Sequence, residues 1–471
     1  MLLGVFLLFG RLWSVGTSQL PTALIAFIAT WLLVTVANLW VGVSKAGYGM
    51  REELPILLLV FAVPAQLAGL LYWRLARRRN AMSTRLRLPA LRQRDGHHAR
   101  VTYEELFFDL VYVFAVTQLS HHLLHHLDLA GVLQTLVLWF AVWLGWQYAC
   151  WVSNWFDPEA PRIRGLLFAT MLLALLMSSS IPEAFADRAW VFAGAYATMQ
   201  VGRTAFVLFE VGHTHPLAPN FRRMLAWVSV SACFWLAGAA AEGNTRLALW
   251  AVAVACEYVS PMFGFAFPGL GRSHTREWTI EGGHLAERCQ LFVIVALGET
   301  LLATGGVLSE VEQWSGAVVS AVLATFAGTI AMWWLYFGIS SRDATEAISH
   351  AEDPGRMGAN FHYVHALLIA GIIATAVGND LVMDHPHAAV TPVHAAVLVA
   401  GPLIYLLGSA LYKRVVYGRV PYSHLIGAVA LVLLGVVLPQ THLLAAGWLT
   451  SAVLLAVGLM DTRLKHRLQR A

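Results

Sequence analysis

The sequence contains little charge. Only 12% of its 471 residues are Asp, Glu, Lys or Arg, whereas a soluble globular domain carries about 25%. Hydrophobic residues account for 58% of the chain. This balance excludes a soluble globular protein and predicts a chain embedded in a lipid bilayer.

The sequence also lacks the usual signatures of disulfide-bonded, metal-binding and enzymatic domains. Its four cysteines, Cys150, Cys233, Cys256 and Cys289, lie inside apolar segments and form no disulfide framework or zinc-type pair. There is no phosphate-binding loop, no dinucleotide fingerprint after a strand and no GxSxG motif. The loops between apolar segments are short, so we expect no soluble catalytic domain and no cofactor. These absences favour a function other than catalysis.

The hydrophobic residues occur in blocks long enough to cross the hydrocarbon layer, which takes about 20 helical residues. Fourteen such segments lie near 20–43, 54–73, 106–126, 131–151, 165–181, 190–210, 224–240, 247–267, 285–304, 315–338, 360–379, 390–412, 422–438 and 443–460. The sequence therefore predicts an all-α fold, a polytopic transmembrane bundle of about fourteen spanning helices.

Basic residues indicate how the bundle is oriented. Nine arginines between Arg74 and Arg100 occupy the loop after the second predicted helix, and such loops are typically cytoplasmic. Alternation from that loop places most other basic loops on the same side, together with both termini. We therefore expect both ends in the cytoplasm. The loop has no accompanying nucleic-acid-binding fold, so its expected partner is anionic lipid and not nucleic acid.

The basic loop also divides the chain. We expect a two-helix N-terminal membrane unit (1–80), a basic cytoplasmic linker (81–100), a first six-helix half (101–270), and a second six-helix half with a cytoplasmic tail (271–471).

The two halves begin in a similar way. The first starts with VTYEELFFDLVYVFAV (101–116) and the second with HLAERCQLFVIVALGET (284–300), and each places an acidic residue before an aromatic and aliphatic run. Because both segments enter from the same side, the pattern is consistent with a 6+6 parallel repeat. In transporters with such repeats the substrate lies near the interface of the halves, at mid-membrane depth.

Several carboxylates fall inside the predicted helices, where a charged group costs several kcal/mol and requires a reason. Glu105 and Asp109 are four residues apart and therefore share one helix face, where they would tend to share a proton. Glu299 lies deeper, just after Gly298, which permits a close helix approach. Glu257 lies near the middle of its span. Each can serve as a proton-binding or cation-binding group, or as a hydrogen-bonding partner of a neighbouring helix.

Basic and histidine side chains accompany these acids. Arg203 lies seven residues before Glu210 on one face, and it can neutralise a buried carboxylate or hold an anionic substrate. His284, Glu287 and Arg288 form a polar face at the start of their helix, suited to a gate, a proton entry or a helix cap.

A histidine-rich stretch, HHLLHH, ends the first helix of the core. His121, His122, His125 and His126 include pairs at the i, i+4 spacing that metals use, but no glutamate completes an HExxH motif. Surface histidines and a metal site are both consistent with this pattern. Tryptophans also lie at the ends of nearby helices, and we expect most of them to be interfacial anchors, with stacking on a substrate as the alternative. They include Trp139, Trp143, Trp146, Trp151, Trp155, Trp333 and Trp334.

Three segments resemble the bacterial low-temperature-requirement A (LtrA) family of membrane proteins. They are YEELFFDLVYVFAVTQLSHHL, ERCQLFVIVALGETLL and WWLYF, and the resemblance covers about residues 100–460. It implies a multi-spanning protein of the bacterial cytoplasmic membrane, linked by the family name to growth in the cold. Carried onto this sequence, the family's motif acids are Glu105, Asp109, Glu287 and Glu299, with Arg288 beside Glu287.

The sequence supports three functional hypotheses. The first is a proton-coupled secondary transporter of a small solute, in which Asp109 and Glu299 bind the coupling proton, Glu257 is a further candidate, and Arg203 or Arg288 tunes their proton affinity. The second is an intramembrane enzyme acting on a lipid-type substrate through its histidines and carboxylates. The third is a membrane scaffold or stress-response sensor whose polar residues hold helices together.

Overall fold

The computed structural model describes residues 20–44, 49, 61, 64–66, 68, 90–92, 99–212, 215–278, 280–338, 347–348 and 351–470. The chain forms two compact units, Met1–Leu88 and Pro89–Ala471, and the division falls inside the predicted basic linker. The described part of the first unit contains helix α1 (Leu20–Ser44), which matches the first predicted span. The second predicted span, 54–73, lies largely outside the described residues.

The described residues of the second unit form twelve long helices and no strands. They are α2 (Tyr103–His125), α3 (Leu129–Trp155), α4 (Pro161–Ser179), α5 (Ala189–Val211), α6 (Ala218–Ala240), α7 (Gly243–Met262), α8 (Gly282–Glu310), α9 (Gly316–Trp333), α10 (Pro354–Asp384), α11 (Pro392–Tyr417), α12 (Tyr422–Val437) and α13 (Leu443–Arg470). Ten of them are long and apolar enough to cross a membrane. The predicted all-α, polytopic fold is confirmed.

Helix starts follow local sequence signals. Thr102 caps α2 in a capping box with Glu105, and Asp128 caps α3 by accepting a hydrogen bond from the Gly131 amide at 2.7 Å. Helices α10 and α11 both combine an oxygen-bearing cap, Asp353 or Thr391, with a proline in the first helical position. The sequence thus specifies where these spans begin.

The two sets of six helices pack in the same order. In the first set α2 contacts α3 and α4, and then α4, α5, α6 and α7 pack in succession until α7 returns to α3. In the second set α8 contacts α9 and α10, and α10 to α13 pack in succession until α13 returns to α9. This shared order is the one expected of a duplicated six-helix unit. The sets meet where α2 and α3 contact α8 and α10.

Small residues allow the closest of these helix contacts. A Cβ at Gly371 of α10 would lie 2.4 Å from the Tyr405 amide nitrogen on α11, and one at Gly401 of α11 would lie 2.5 Å from the Thr375 nitrogen. The two backbones are therefore in direct contact, as is common where small residues lie at helix interfaces in membranes. Gly298 is different, since a Cβ there would meet nothing within 4 Å. The close approach that Gly298 permits is not used by the described residues.

The tryptophans of α3 belong to the core. Trp139, Trp143, Trp146, Trp151 and Trp155 are all 5% exposed or less. The prediction that they anchor the interface is therefore wrong, because α3 packs against α2, α7, α8 and α10 and residues 141–155 of this helix are all buried. Trp333, at 47% exposure, remains compatible with an interfacial position.

Candidate functional site

The first acidic site is built by the start of α2. The capping box that begins this helix orients Glu105, whose Oε2 accepts hydrogen bonds from the Thr102 amide at 2.9 Å and hydroxyl at 3.0 Å. One turn later, Asp109 lies on the same face. Both side chains are buried, at 0% and 2% exposure, so the sequence-based placement of two carboxylates on one face is matched in space.

Arg288 of α8 lies between these two carboxylates. Its Nη1 donates to Glu105 Oε1 at 2.9 Å, and its Nη2 donates to Asp109 Oδ1 at 2.6 Å. His284, one turn earlier on α8, places its Nε2 2.8 Å from the same Glu105 oxygen. We call Glu105, Asp109, His284 and Arg288 the charged cluster. It joins the first helix of one half to the first helix of the other.

Neighbouring residues complete the charged cluster. Arg92 Nη2 lies 3.1 Å from Glu105 Oε2, and the Trp146 indole donates to Asp109 Oδ1 at 2.7 Å. Asn154 Nδ2 lies 3.2 Å from His284 Nδ1. Each carboxylate therefore has a basic partner, and within the charged cluster Asp109 Oδ2 and Arg288 Nε form no hydrogen bond with a described residue. Opposite charges in such close contact make this cluster a tie between helices.

Glu287 does not join the charged cluster, although it lies next to Arg288. Its Oε2 accepts a hydrogen bond from the backbone amide of Val101 at 3.2 Å, just before the cap of α2. Glu281 caps α8, accepting from the Gly283 and His284 amides at 3.0 and 2.6 Å. The polar residues at the start of α8 thus have two kinds of contact. Glu281 and Glu287 accept hydrogen bonds from backbone amides, while His284 and Arg288 contact the carboxylates of α2.

The second acidic site lies near the middle of α8. Glu299 is 1% exposed, and the hydroxyls of Thr117 and Ser120 on α2 both donate to its carboxylate, Ser120 at 2.8 Å from Oε1. Among the described residues no Lys, Arg or His lies within ion-pair distance of Glu299. We call Glu299, Thr117 and Ser120 the hydroxyl site. It also joins α2 to α8, but through neutral donors.

The third acidic site belongs to the first half alone. Glu257 of α7 is 2% exposed and is surrounded by Tyr196, Gln200, Ser231 and Trp235, of which Trp235 Nε1 donates at 3.0 Å and Gln200 Nε2 at 3.1 Å. These partners come from α5 and α6. Like Glu299, this carboxyl group is held by neutral donors, and the described residues provide no ion pair to it.

Arg203 does not neutralise a buried carboxylate directly. Its guanidinium donates to the Gly145 carbonyl at 3.1 Å and to Gln200, and it lies 5.2 Å from the centre of the Tyr148 ring. Glu210, on the same helix, instead pairs with Arg162 at 3.0 Å. Arg203 therefore forms no direct ion pair with a carboxylate of the described residues, and Gln200 bridges it to Glu257. Its two predicted roles stay predictions.

The histidine-rich end of α2 does not form a metal-ligand set. His125 and His126 each place Nδ1 next to a carbonyl of their own helix, that of His121 at 2.8 Å and of His122 at 2.9 Å. Residues 99–212 and the other described ranges contain no group of three or more His, Cys, Asp or Glu side chains able to hold a metal ion. The geometry gives the metal alternative no support.

A further polar cluster in the second half was not predicted. Lys413 of α11 pairs with Asp461 of α13, and Ser423 of α12 also donates to Asp461. His424 Nε2 lies 2.9 Å from Ser409 Oγ, but its Nδ1 is 3.7 Å from Asp461, beyond hydrogen-bond distance. Because Lys413 and Ser423 both contact Asp461, these residues join the three helices α11, α12 and α13. The only signal in the sequence is Asp461, an acid at the end of an apolar run.

The fold and its buried carboxylates define a polytopic membrane protein with polar contacts between two six-helix sets. A family model for the bacterial low temperature requirement A protein (LtrA) matches residues 100–459, and the chain belongs to this family. An uncharacterized protein of Rhizobium meliloti (strain 1021) is 35% identical over 380 residues, which are 80% of this chain and 92% of that protein. No solved structure matches the chain.

Proposed function

We propose that the protein is a proton-coupled secondary transporter of a small solute, and that Glu299 carries the coupling proton. The observation that supports this function is the environment of Glu299. It is a carboxyl group buried near the middle of a spanning helix, with hydroxyl donors and no basic partner in the described part of the chain. Acids in this situation commonly form proton relays in pumps and transporters.

The contacts of Glu299 supply a physical route to coupling. Its partners Thr117 and Ser120 belong to α2, whereas Glu299 belongs to α8, so the hydrogen bonds cross between the two six-helix sets. Rocking of one set against the other would break these bonds and expose the carboxyl group to water. A proton bound in one arrangement and released in the other would couple the motion to a proton gradient.

The charged cluster has a different part in this proposal. Arg288 and Arg92 together balance the charges of Glu105 and Asp109, so these acids act as the fixed contact around which the halves move. This revises the expectation that Asp109 also carries the coupling proton. His284 and Arg92 reinforce the same contact at the end of the bundle that the sequence predicts to be cytoplasmic.

Sealed vesicles that contain purified protein and an internal pH dye would test the proposal. The vesicles would be challenged with a panel of metabolites, metal ions and organic cations. We expect at least one solute to change the internal pH, and we expect the Glu299→Gln variant to abolish this change. The matched control is Glu312→Gln, which replaces an exposed acid beyond the end of α8. A solute-evoked pH change that persists in Glu299→Gln would overturn the assignment.

A further inference from the structure

A cavity with a volume of about 200 Å³ lies between the two six-helix sets. Its walls come from α2 and α3 of the first set and from α10 and α11 of the second. The cavity lies where α2 ends and where α3 and α11 begin, so it is far from the charged cluster at the start of α2. We call it the apolar cavity, and its lining includes Leu119, Thr135, Trp139, Ile373 and Ala400.

The described side chains that line the apolar cavity offer no free polar group. Two of them carry a polar atom, Thr135 and Trp139, and the others are Ala, Val, Leu or Ile. The Thr135 hydroxyl donates to the Gly131 carbonyl at 2.8 Å, and the Trp139 indole donates to the Ala366 carbonyl at 3.2 Å. A buried water needs about two to four polar partners. Water is therefore a poor occupant of this cavity, and so is a polar solute.

The size of the apolar cavity favours an apolar occupant over an empty space. Protein interiors are close-packed and contain few voids larger than a water molecule. An apolar cavity of about 150 Å³ admits benzene, so the volume here has room for on the order of eight carbon atoms. If the cavity stayed empty, the atoms that line it would lose their contacts on one side. An alkyl group would restore those contacts.

The lining of the apolar cavity reaches the side of the bundle. Val132 and Leu136 of α3 are each 40% exposed, and Ala396 of α11 is also exposed. Both helices are long and apolar enough to cross a membrane, so this surface borders the hydrocarbon layer. The apolar groups that fill that layer are the acyl chains of lipids. The position of the cavity therefore selects an acyl chain over a molecule from the aqueous phase.

We propose that the apolar cavity binds one acyl chain of a membrane lipid, inserted between the two six-helix sets from the side of the bundle. Lipid tails already surround the protein, so leaving the bilayer gains the chain little, and the contacts that fill the void favour binding instead. Leu119 lies between Thr117 and Ser120, so the chain packs against the segment of α2 that supplies the donors to Glu299. The inference concerns lipid binding and does not depend on proton coupling.

Photolabelling of the full-length protein in phosphatidylcholine vesicles would test this site. The probe is a phosphatidylcholine with a diazirine in the middle of one acyl chain, and mass spectrometry locates the label after irradiation. We expect label on Leu119 and Ile373, which are 0% and 4% exposed, because a chain inside the apolar cavity touches them. Leu433 of α12, at 63% exposure, is the reference for ordinary lipid contact. Label confined to exposed residues such as Leu433 would overturn the proposal.

Variants that fill the apolar cavity locate the site. Ala400→Phe adds a benzene-sized group, and we expect it to lower the label on Leu119 and Ile373 at least about tenfold relative to Leu433. Ala374→Leu is a smaller filling change, with an expected several-fold loss, for the case that Ala400→Phe does not fold. Ala452→Phe is the matched control, because Ala452 lines an open groove between α12 and α13, and it should label as the parent does. Unchanged label in the folded filling variants, or an equal loss in the control, would overturn the assignment.

Two further comparisons define the source of the chain and separate this proposal from transport. A free fatty acid that carries the same diazirine chain is the second probe, and label on Leu119 and Ile373 from the fatty acid alone would overturn the assignment to a membrane lipid. Glu299→Gln should label as the parent does, since Glu299 is not among the residues that line the apolar cavity. Cavity label with no solute-evoked pH change in any protein would retain the lipid site and reject transport. Coupled transport without cavity label would do the reverse.

Discussion

The charged cluster and the hydroxyl site join the same two helices by different chemistry. At the charged cluster, Arg288 forms ion pairs with Glu105 and Asp109 at 2.9 and 2.6 Å. At the hydroxyl site, Glu299 receives only the hydroxyls of Thr117 and Ser120 among the described residues. The two sites lie about three helical turns apart along α8. The carboxylates of both sites are buried, so burial alone does not distinguish them.

Under the proposed function, this difference in partners separates the buried acids that hold helices together from the one that exchanges a proton. A carboxylate that is already paired with a buried guanidinium keeps its charge balanced, and removing either partner is costly. A carboxyl group held by hydroxyls has no fixed positive partner, so it can gain or lose a proton without leaving an unpaired arginine. We therefore propose a structural role for Glu105 and Asp109 and an exchange role for Glu299.

The largest effect is expected from removing the shared cation. Arg288→Met would leave two buried carboxylates without their main partner and should lower the free energy of unfolding by about 3–5 kcal/mol. Thermal unfolding in detergent would measure this loss. Arg164→Met is the matched control, since Arg164 pairs with Glu104 at 2.8 Å but is 41% exposed, and should cost under about 1 kcal/mol. Equal losses in the two variants would contradict a structural role for the charged cluster.

Replacing the two acids and the arginine of the charged cluster together is a second test of the same comparison. A triple variant with Glu105→Gln, Asp109→Asn and Arg288→Met no longer buries an unpaired charge at these three positions. It should recover at least about 2 kcal/mol of the stability lost in Arg288→Met. The same unfolding experiment applies. A triple variant as unstable as the single one would mean that Arg288 acts through packing and not through charge.

A smaller effect is expected at the hydroxyl site. Ser120→Ala removes one donor to Glu299 and leaves its other donor, Thr117, in place. The loss of one such hydrogen bond should cost about 1 kcal/mol. Ser179→Ala serves as the control, because the Ser179 hydroxyl bonds only to the Leu176 carbonyl of its own helix. A loss from Ser120→Ala comparable to that of Arg288→Met would remove the distinction between the two sites.

The smallest stability change is expected from Glu299→Gln. Glutamine has nearly the same shape and keeps an oxygen that can accept from Thr117 or Ser120, and the variant breaks no ion pair with a described residue. We therefore expect the free energy of unfolding to change by less than about 1 kcal/mol. Thermal unfolding beside the parent protein would test this, and a loss of several kcal/mol would assign Glu299 a structural role.

The sequence predicted the fold and the acids of both sites well. Long apolar segments determine the helices directly, and the observed ends differ from the predicted ones by a few residues in most cases. Glu105, Asp109 and Glu299 could be identified because a charge inside an apolar segment is conspicuous whatever surrounds it. The four-residue spacing of Glu105 and Asp109 also predicted correctly that the two lie on one helix face.

The partners of these acids could not be predicted from one sequence. Helical periodicity states which face a residue occupies but not which residue of another helix it meets. Thr117, Ser120 and Trp146 therefore carried no signal, and Arg203 was paired with carboxylates that it does not contact. The tryptophans of α3 were misplaced for a related reason, because their burial depends on how many helices surround α3.

Infrared difference spectroscopy of the protein in lipid, recorded between acidic and alkaline pH, would test the central claim most directly. It detects the carbonyl stretch of a carboxyl group that gains or loses a proton. The account predicts a carboxyl band that is absent in Glu299→Gln and retained in Asp109→Asn. A spectrum unchanged by Glu299→Gln, or a band lost only in Asp109→Asn, would contradict the assignment of proton exchange to the hydroxyl site.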